Sequence, residues 1–476
     1  MTESLGKKAA RGAIWVSIDR FTMMGLQFAV NLILARLLVP ADFGAIGMLA
    51  IFIAVSTVLI DGGFGSALIQ KKSPTQIDYS TIFYWNLLFS SFLYGILYLS
   101  APLIADFYNM PTLSGVLRGC GITLIINAIL TIQRTRLQKK LAFKILAVAN
   151  ICAYIISSCL GIFLAYHDWG VWSLVILQIV NVSMNVIFLA IITRWHPSLC
   201  FSKNSMKSLF GFGGFIMATN ILQEICKNLQ GILIGKKFSA TQMGYFSQAY
   251  KLDNITSYSI PQIIVQVMYP IYSEIQDDKM RLKEVILMNM RIISFLIFPV
   301  LAILILIGEP LITWLYGEKW LPSAPYFQVL CVGGFFVCLQ NVNFYAVAAV
   351  GKSKQLFYWS FYKWGFLLVA LFVGMVFGIF GILWGMVLSN CNIFIVNSLL
   401  TSQHIGLSMT SQMKELVPII IITSIAFLLA CCLTLFFQTI LLSAILFIIT
   451  YMILSYIFRL KALLETSMLV NKLIVR

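Results

Sequence analysis

Charge is scarce in this chain: only 11% of its 476 residues are Asp, Glu, Lys or Arg. Soluble domains carry roughly 25%, so an ordinary globular fold is excluded. Histidine is nearly absent, with His167, His196 and His404 far apart in sequence. The ten cysteines stand mostly inside apolar runs and form no CxxC pair. Neither a metal site nor a disulfide framework is therefore expected, and buried free Cys behaves as a small hydrophobe. No Gly-rich nucleotide-binding loop appears, which argues against ATP-driven work by this chain alone. No cofactor is expected.

What the chain has instead is apolar blocks. Hydrophobic residues make up 60%, and the mean hydropathy is +0.93. "VWSLVILQIVNVSMNVIFLAII" (171–192) and "LVPIIIITSIAFLLACCLTLFF" (416–437) each match the roughly 20 residues that cross a bilayer as a helix. Such blocks recur along the chain and predict an all-α polytopic membrane protein with about 14 transmembrane helices between residues 12 and 459. The start "MTESLGKKAARGAIW" has a basic flank but no clear cleavage site, so it reads as an uncleaved first span.

The net charge of +16 would suggest nucleic acid for a soluble protein. Here it reads as Lys and Arg retained on cytoplasmic loops, with some attraction to anionic lipid headgroups. With a cytoplasmic N-terminus, about 24 Lys/Arg fall inside, including the cluster "QRTRLQKKLAFK" (133–144). Only Lys236, Lys237 and Lys319 fall outside. Both termini are expected in the cytoplasm, with every outside loop short.

Setting the halves side by side at an offset of about 200 residues aligns "ILARLLVPADFGAIGML" (33–49) with "LIGKKFSATQMGYFSQA" (233–249). Each is a span end, a short polar turn, and a glycine (Gly44, Gly244) opening the next helix. An even number of spans separates them, so the repeats share one membrane orientation, a standard transporter plan. The two turns are expected to form the outer rim of a cleft.

The same offset relates polar residues. On the first span Arg20, Gln27 and Asn31 fall within about 40° at 100° per residue. On the seventh, Asn220, Glu224 and Lys227 span about 60°. The eighth adds Ser247, Lys251, Asn254, Tyr258 and Gln262 on a face about 80° wide. The second contributes Asp61, just before "GGFG". Charges at membrane depth are costly and face a bundle interior or a water-filled cavity, so these four helices are expected to line one. Arg118 and Lys363 sit about two turns inside their spans and are further candidates, although snorkelling to the interface would also explain them. Arg36 is expected to snorkel. Glu224 and Lys227, three apart, also suit a neutralising pair; Asp19 reads as a structural partner to another helix, and Asp253, facing away from the Lys251 stripe, as structural.

At these residues the chain resembles bacterial polysaccharide flippases of the Wzx type, within the multidrug/oligosaccharidyl-lipid/polysaccharide exporter superfamily, and most of all its colanic-acid-exporter branch. The resemblance rests on the stretch from Lys7 to Leu49, on "STVLIDGGFGSALIQKK", on "QMGYFSQAYKLDNI" and on "SIPQIIVQVMYPIYSEIQDD". It implies two pseudo-symmetric six-helix lobes, residues 1–200 and 201–405, then a terminal helix pair and cytoplasmic tail over 406–476. It also implies an inner-membrane transporter, not an enzyme. The cargo would be undecaprenyl-diphosphate-linked oligosaccharide for exopolysaccharide, capsule or O-antigen synthesis, flipped by alternating access through a cationic central cavity.

A diphosphate needs positive charge in a low-dielectric cavity. Arg20, Lys227 and Lys251 would supply it, with Arg118 and Lys363 as reserves, while Gln27, Asn31, Asn220 and Asn254 suit sugar hydroxyls. Asp61 and Glu224 are the candidates for coupling to a proton or sodium ion. The expected partners are the lipid-linked oligosaccharide, membrane lipids and the polysaccharide polymerase machinery, with no nucleic acid. One alternative is a drug/cation antiporter of the same superfamily, which would favour acidic cavity residues. Another is a membrane-embedded polymerase, which would be expected to need a larger outside loop or paired carboxylates.

Overall fold

A computed structural model describes residues 5–437 and 440–466. Among them the secondary structure is helical throughout, with no strand. The helices are α1 (Leu5–Leu37), α2 (Pro40–Asp61), α3 (Phe64–Gln70), α4 (Gln76–Phe107), α5 (Thr112–Lys139), α6 (Phe143–Tyr166), α7 (Val171–Thr193), α8 (Lys203–Lys237) and α9 (Ala240–Asn254). After a π-helical turn over Ile255–Ser259 come α10 (Ile260–Glu274), α11 (Lys279–Leu306) and α12 (Gly308–Tyr316). A 3₁₀ turn then leads to α13 (Ala324–Ala349), α14 (Ser353–Val376), α15 (Gly378–Ile405), α16 (Met409–Phe437) and α17 (Ile440–Ile457).

Ten described segments are long and apolar enough to cross a membrane, so the protein is a multi-pass membrane protein. Helices α1, α8, α9 and α10 are not among them. They carry the polar stripes expected from the sequence.

The chain forms two compact units, one up to Gly244 and one from Tyr245 onward. In the first, α4 and α5 pair as a hairpin, as do α6 and α7, while α1 packs on α6 and α2 on α5 and α8. The α4–α5 turn holds Asn109 at φ 52°, a left-handed conformation that Asn tolerates better than most residues. Ile60, Leu97, Leu124 and Ala128 form one buried cluster, and Phe64, Leu68, Ile82, Ile132 and Trp195 belong to another.

The start of α4 is heavily tied. Thr75 and Asp78 make a reciprocal cap, and Lys71 reaches the Asp78 carboxylate at 2.7 Å. The segment following α7 is bolted onto the same turns. There Gln76 Nε2 donates to His196 O, Trp195 Nε1 donates to Gln76 Oε1, and the Ser198 amide donates to Ser80 Oγ. Part of the basic cluster read as loop is helix: α5 continues to Lys139, and the Arg136 guanidinium lies 5.0 Å from the Trp195 ring and 5.6 Å from that of Tyr79.

In the second unit, α13 and α14 pack on α15, and α11 on α13 and α16. Two of these helices touch backbone to backbone. A Cβ at Gly374 would lie 2.3 Å from Gly381 O, and one at Gly381 would lie 2.1 Å from Gly374 O. Small residues permit such approach where lipid supplies no hydrophobic drive.

Candidate functional site

The two related turns meet within the first unit. "VPADFG" enters α2 with Pro at its first position, and the Asp42 carboxylate accepts the Val39 amide at 3.2 Å. "SATQMG" enters α9 with the Ser239 hydroxyl accepting the Gln242 amide at 3.2 Å. The first turns of the two helices then press together reciprocally. A Cβ on Gly44 would lie 1.8 Å from the Ala240 carbonyl oxygen, and one on Gly244 would lie 1.9 Å from that of Pro40. Only glycine at both positions permits this crossing. Below it, α2 runs along α8 with Gly231 and Gly235 facing Gly47 and Met48. Lys236 donates to Phe107 O and lies 4.4 Å from the Phe107 ring. It therefore caps the end of α4.

Arg20 and Gln27 are exposed on α1, and Asn31 is half-buried. The helix is unbroken here, so the three keep a common face. On α8, Asn220 is half-buried and the Lys227 side chain is 60% exposed. Its ammonium stands 4.0 Å from Glu224, whose Oε2 also accepts Asn228 Nδ2 at 3.1 Å. This is the helical pair that the spacing allowed, and at that distance and exposure it holds Lys227 only weakly.

Two candidates sit elsewhere. Asp61 ends α2, where its carboxylate accepts the backbone amides of Gly63 and Gly65 and so caps α3. Arg118 lies 4.3 Å over the Tyr98 ring and donates from Nε to Tyr98 O at 3.3 Å, bridging α5 to α4. Asp19 does have an interhelical partner. Asn150 Nδ2 on α6 donates to its Oδ2 at 3.3 Å, and Arg134 of α5 donates to Asn150 Oδ1 at 3.0 Å. Arg134 lies within α5 rather than in a loop. Its nearness to Asn150 depends on how α5 and α6 pack, which no local pattern reports.

In the second unit Lys251 is exposed on α9 and Asn254 is half-buried at the end of that helix. The π-turn that follows inserts about one extra residue into the helical repeat, a rotation of roughly 100°. Residues beyond it leave the expected stripe. Tyr258 stays exposed, but Gln262 is only 4% exposed and turns to α13. There its Nε2 donates to Tyr345 Oη at 2.8 Å, and its Oε1 accepts Asn341 Nδ2 at 3.1 Å. Asp253, just before the turn, is buried, with Ser257 donating to its Oδ1 and Cys331 of α13 also in hydrogen-bond contact. Gly334 leaves the space for Ser257.

Lys363 is buried rather than snorkelling. At 5% exposure it donates to Asn397 Oδ1 of α15, and Asn397 Nδ2 donates to Gln340 O of α13. Another charge cluster escaped the sequence reading. Arg291 donates from Nε to Glu465 at 2.9 Å, with a second bond from its Nη2, and its Nη1 lies 3.1 Å from Glu415. One guanidinium thus joins α11, α16 and the helical turn after α17.

Residues 33–325 match a family described as polysaccharide biosynthesis protein. The teichuronic acid biosynthesis protein TuaB of Bacillus subtilis (strain 168) is 28% identical over 360 residues, which covers 75% of this chain and 74% of that protein. The lipopolysaccharide biosynthesis protein WzxC of Escherichia coli (strain K12) is 24% identical over 374 residues, covering 78% and 76%. Among solved structures, the lipid II flippase MurJ in an inward closed conformation superposes with a TM-score of 0.72 at 15% identity, over 94% of this chain and 98% of that one. At that identity the likeness establishes the fold.

Proposed function

Because this chain belongs to the polysaccharide biosynthesis protein family, we propose that it is a transporter, not an enzyme, that flips undecaprenyl-diphosphate-linked oligosaccharide across the bacterial inner membrane. The observation that carries this reading is the set of polar side chains kept exposed on long helices among apolar spans: Arg20, Gln27, Lys227 and Lys251. Long basic side chains exposed to hydrocarbon would be expensive, whereas in a wet cavity they offer a diphosphate its counter-charges. The names of the relatives, one in teichuronic acid and one in lipopolysaccharide biosynthesis, support a saccharide cargo.

In this reading the helices make fourteen crossings, arranged as six, six and a terminal pair, with both termini cytoplasmic. Arg20, Lys227 and Lys251 neutralise the phosphates, and Gln27, Asn31, Asn220 and Asn254 receive sugar hydroxyls. Arg118 and Lys363, already engaged by Tyr98 and Asn397, act at most through the packing of their helices. Glu224 is the better carboxylate for a coupling proton or sodium ion, since the Asp61 carboxylate is occupied with backbone amides. Access alternates as the Gly44–Gly244 crossing closes and parts, and the flipped cargo passes to polymerase machinery.

The test is flipping in proteoliposomes. Wild type should move a lipid-diphosphate oligosaccharide between leaflets, and Lys227→Ala or Lys251→Ala should slow it severalfold at equal folded content. If both variants match wild type, the lysines have no such role. Exchange of organic cations for protons without glycolipid flipping would replace this reading with an antiporter.

A further inference from the structure

The α10–α13 contact in the second unit holds a polar cluster whose chemistry differs from that of the basic residues. Gln262 uses both ends of its amide there, one on the Tyr345 hydroxyl and one on Asn341. Its near-complete burial locks that geometry, because an unpaired buried amide would cost about 1–3 kcal/mol. The chain of bonds runs in one direction, from the Asn341 amide to the Gln262 carbonyl and from the Gln262 amide to the Tyr345 oxygen. Hydrogen bonds in series polarise one another, so the Tyr345 O–H at the end is a strengthened donor. Asn341 and Tyr345 are half-buried rather than sealed, and each retains hydrogen-bonding capacity beyond the cluster. Asn341 keeps a carbonyl oxygen and one N–H, and Tyr345 keeps its O–H.

An aromatic face adjoins them. The Tyr269 ring packs edge-on to Tyr345 with centroids 5.5 Å apart and is itself 37% exposed. The cluster has neutral donors, a neutral acceptor and an apolar ring, and no charged side chain takes part in it. Such a set suits a ligand that alternates hydroxyl groups with C–H faces, and it offers a phosphate no counter-charge. Lys251 stands eleven residues before Gln262, about 16 Å along the helix axis. Phosphate and hydroxyl recognition would thus fall on different turns of one span.

We propose that Asn341, Gln262, Tyr345 and Tyr269 form a saccharide subsite that reads the glycan of the cargo, with Tyr345 donating to a sugar hydroxyl, Asn341 accepting from one, and Tyr269 stacking on a ring face. Gln262 is the positioning residue that holds the other two polar groups. The proposal rests on the flippase reading and adds to it where the glycan is recognised.

The experiment measures binding of two probes to the full-length purified protein: undecaprenyl diphosphate alone, and undecaprenyl diphosphate carrying a neutral tetrasaccharide. Wild type should bind the glycosylated lipid more tightly. Tyr345→Phe should weaken that lipid about three- to tenfold, the range of one net hydrogen bond, and leave the bare diphosphate unchanged. Tyr269→Ala should do the same without touching the buried amide, and Tyr269→Phe should bind like wild type. If wild type binds both probes equally, or both substitutions shift both probes together, the subsite is overturned and the cluster is only a clamp between α10 and α13. A clamp would also show as a lowered melting temperature with unchanged selectivity. If wild type binds neither probe, the flippase reading itself fails.

Discussion

Adding one methyl group at Gly44 should disturb the protein more than its size suggests. The new Cβ would stand 1.8 Å from the Ala240 carbonyl oxygen, where real Cβ atoms stay beyond 3.0 Å, so the two turns must separate by about 1.2 Å. The obstacle is backbone, and no rotamer change relieves it. Overpacking of this kind costs about 1–3 kcal/mol when the surroundings absorb it. Charged against the packed arrangement alone, that lowers its population relative to separated arrangements by about five- to 150-fold. Nitroxide labels at Val39 and Ser239, both exposed, report the separation by pulsed electron resonance. The exposed Cys152, Cys159, Cys200 and Cys432 would first be replaced by serine. Gly44→Ala should shift the distance distribution outward and slow flipping, and a covalent link between the turns should stall it. Gly244→Ala should act alike, and the double variant should add little, because both methyl groups need the same gap. An unchanged distance distribution in Gly44→Ala would refute the reasoning.

Arg291→Ala leaves the Glu415 and Glu465 carboxylates without their shared partner and should cost about 2–4 kcal/mol, read as a lower melting temperature in detergent. Arg291→Lys, which loses the two-pronged geometry, should fall between. Asp61→Asn keeps a capping side chain, so flipping and its ion dependence should match wild type, whereas Asp61→Ala should lose about 1 kcal/mol of stability. Loss of ion dependence in Asp61→Asn would instead make this carboxylate a coupling group. Asp19→Ala removes the acceptor that orients Asn150 and so disturbs Arg134. The double variant Asp19→Ala/Arg134→Ala should be less destabilised than the sum of the two single changes, and strict additivity in thermal unfolding would deny the relay.

Much of the fold was legible because a bilayer makes its demands locally. The apolar block 171–192 fixed the ends of α7 to within a residue, and the proline-led turn announced α2. Polar stripes were legible where the helix is regular: Arg20, Gln27 and Asn31 remain on one side of α1. The stripe through Lys251 failed beyond Asn254, because a period of 3.6 cannot foresee a π-turn, and Gln262 went to Asn341 and Tyr345 instead. Arg134 was misread for another reason, which also hid the part played by Arg291. Counting charges near span ends identifies a basic edge, but the acceptors that take those charges up, Asn150 and Glu465, lie 16 and 174 residues away in sequence. Gly44 and Gly244 were visible as a repeated letter, whereas their mutual contact was a fact of assembly.

The π-turn at Ile255–Ser259 also decides what kind of sequence change this span tolerates. Substitution there alters a side chain, but loss of a single residue would let the ladder relax to regular α-helix. Everything downstream would then turn by roughly 100°: Gln262 would swing away from α13, and Val265 and Tyr272, now fully buried, would rotate off their packing. The constraint on this stretch is therefore on length more than on composition. Functional descendants of this chain should vary in its letters while their alignments stay free of gaps between Asp253 and Gln262.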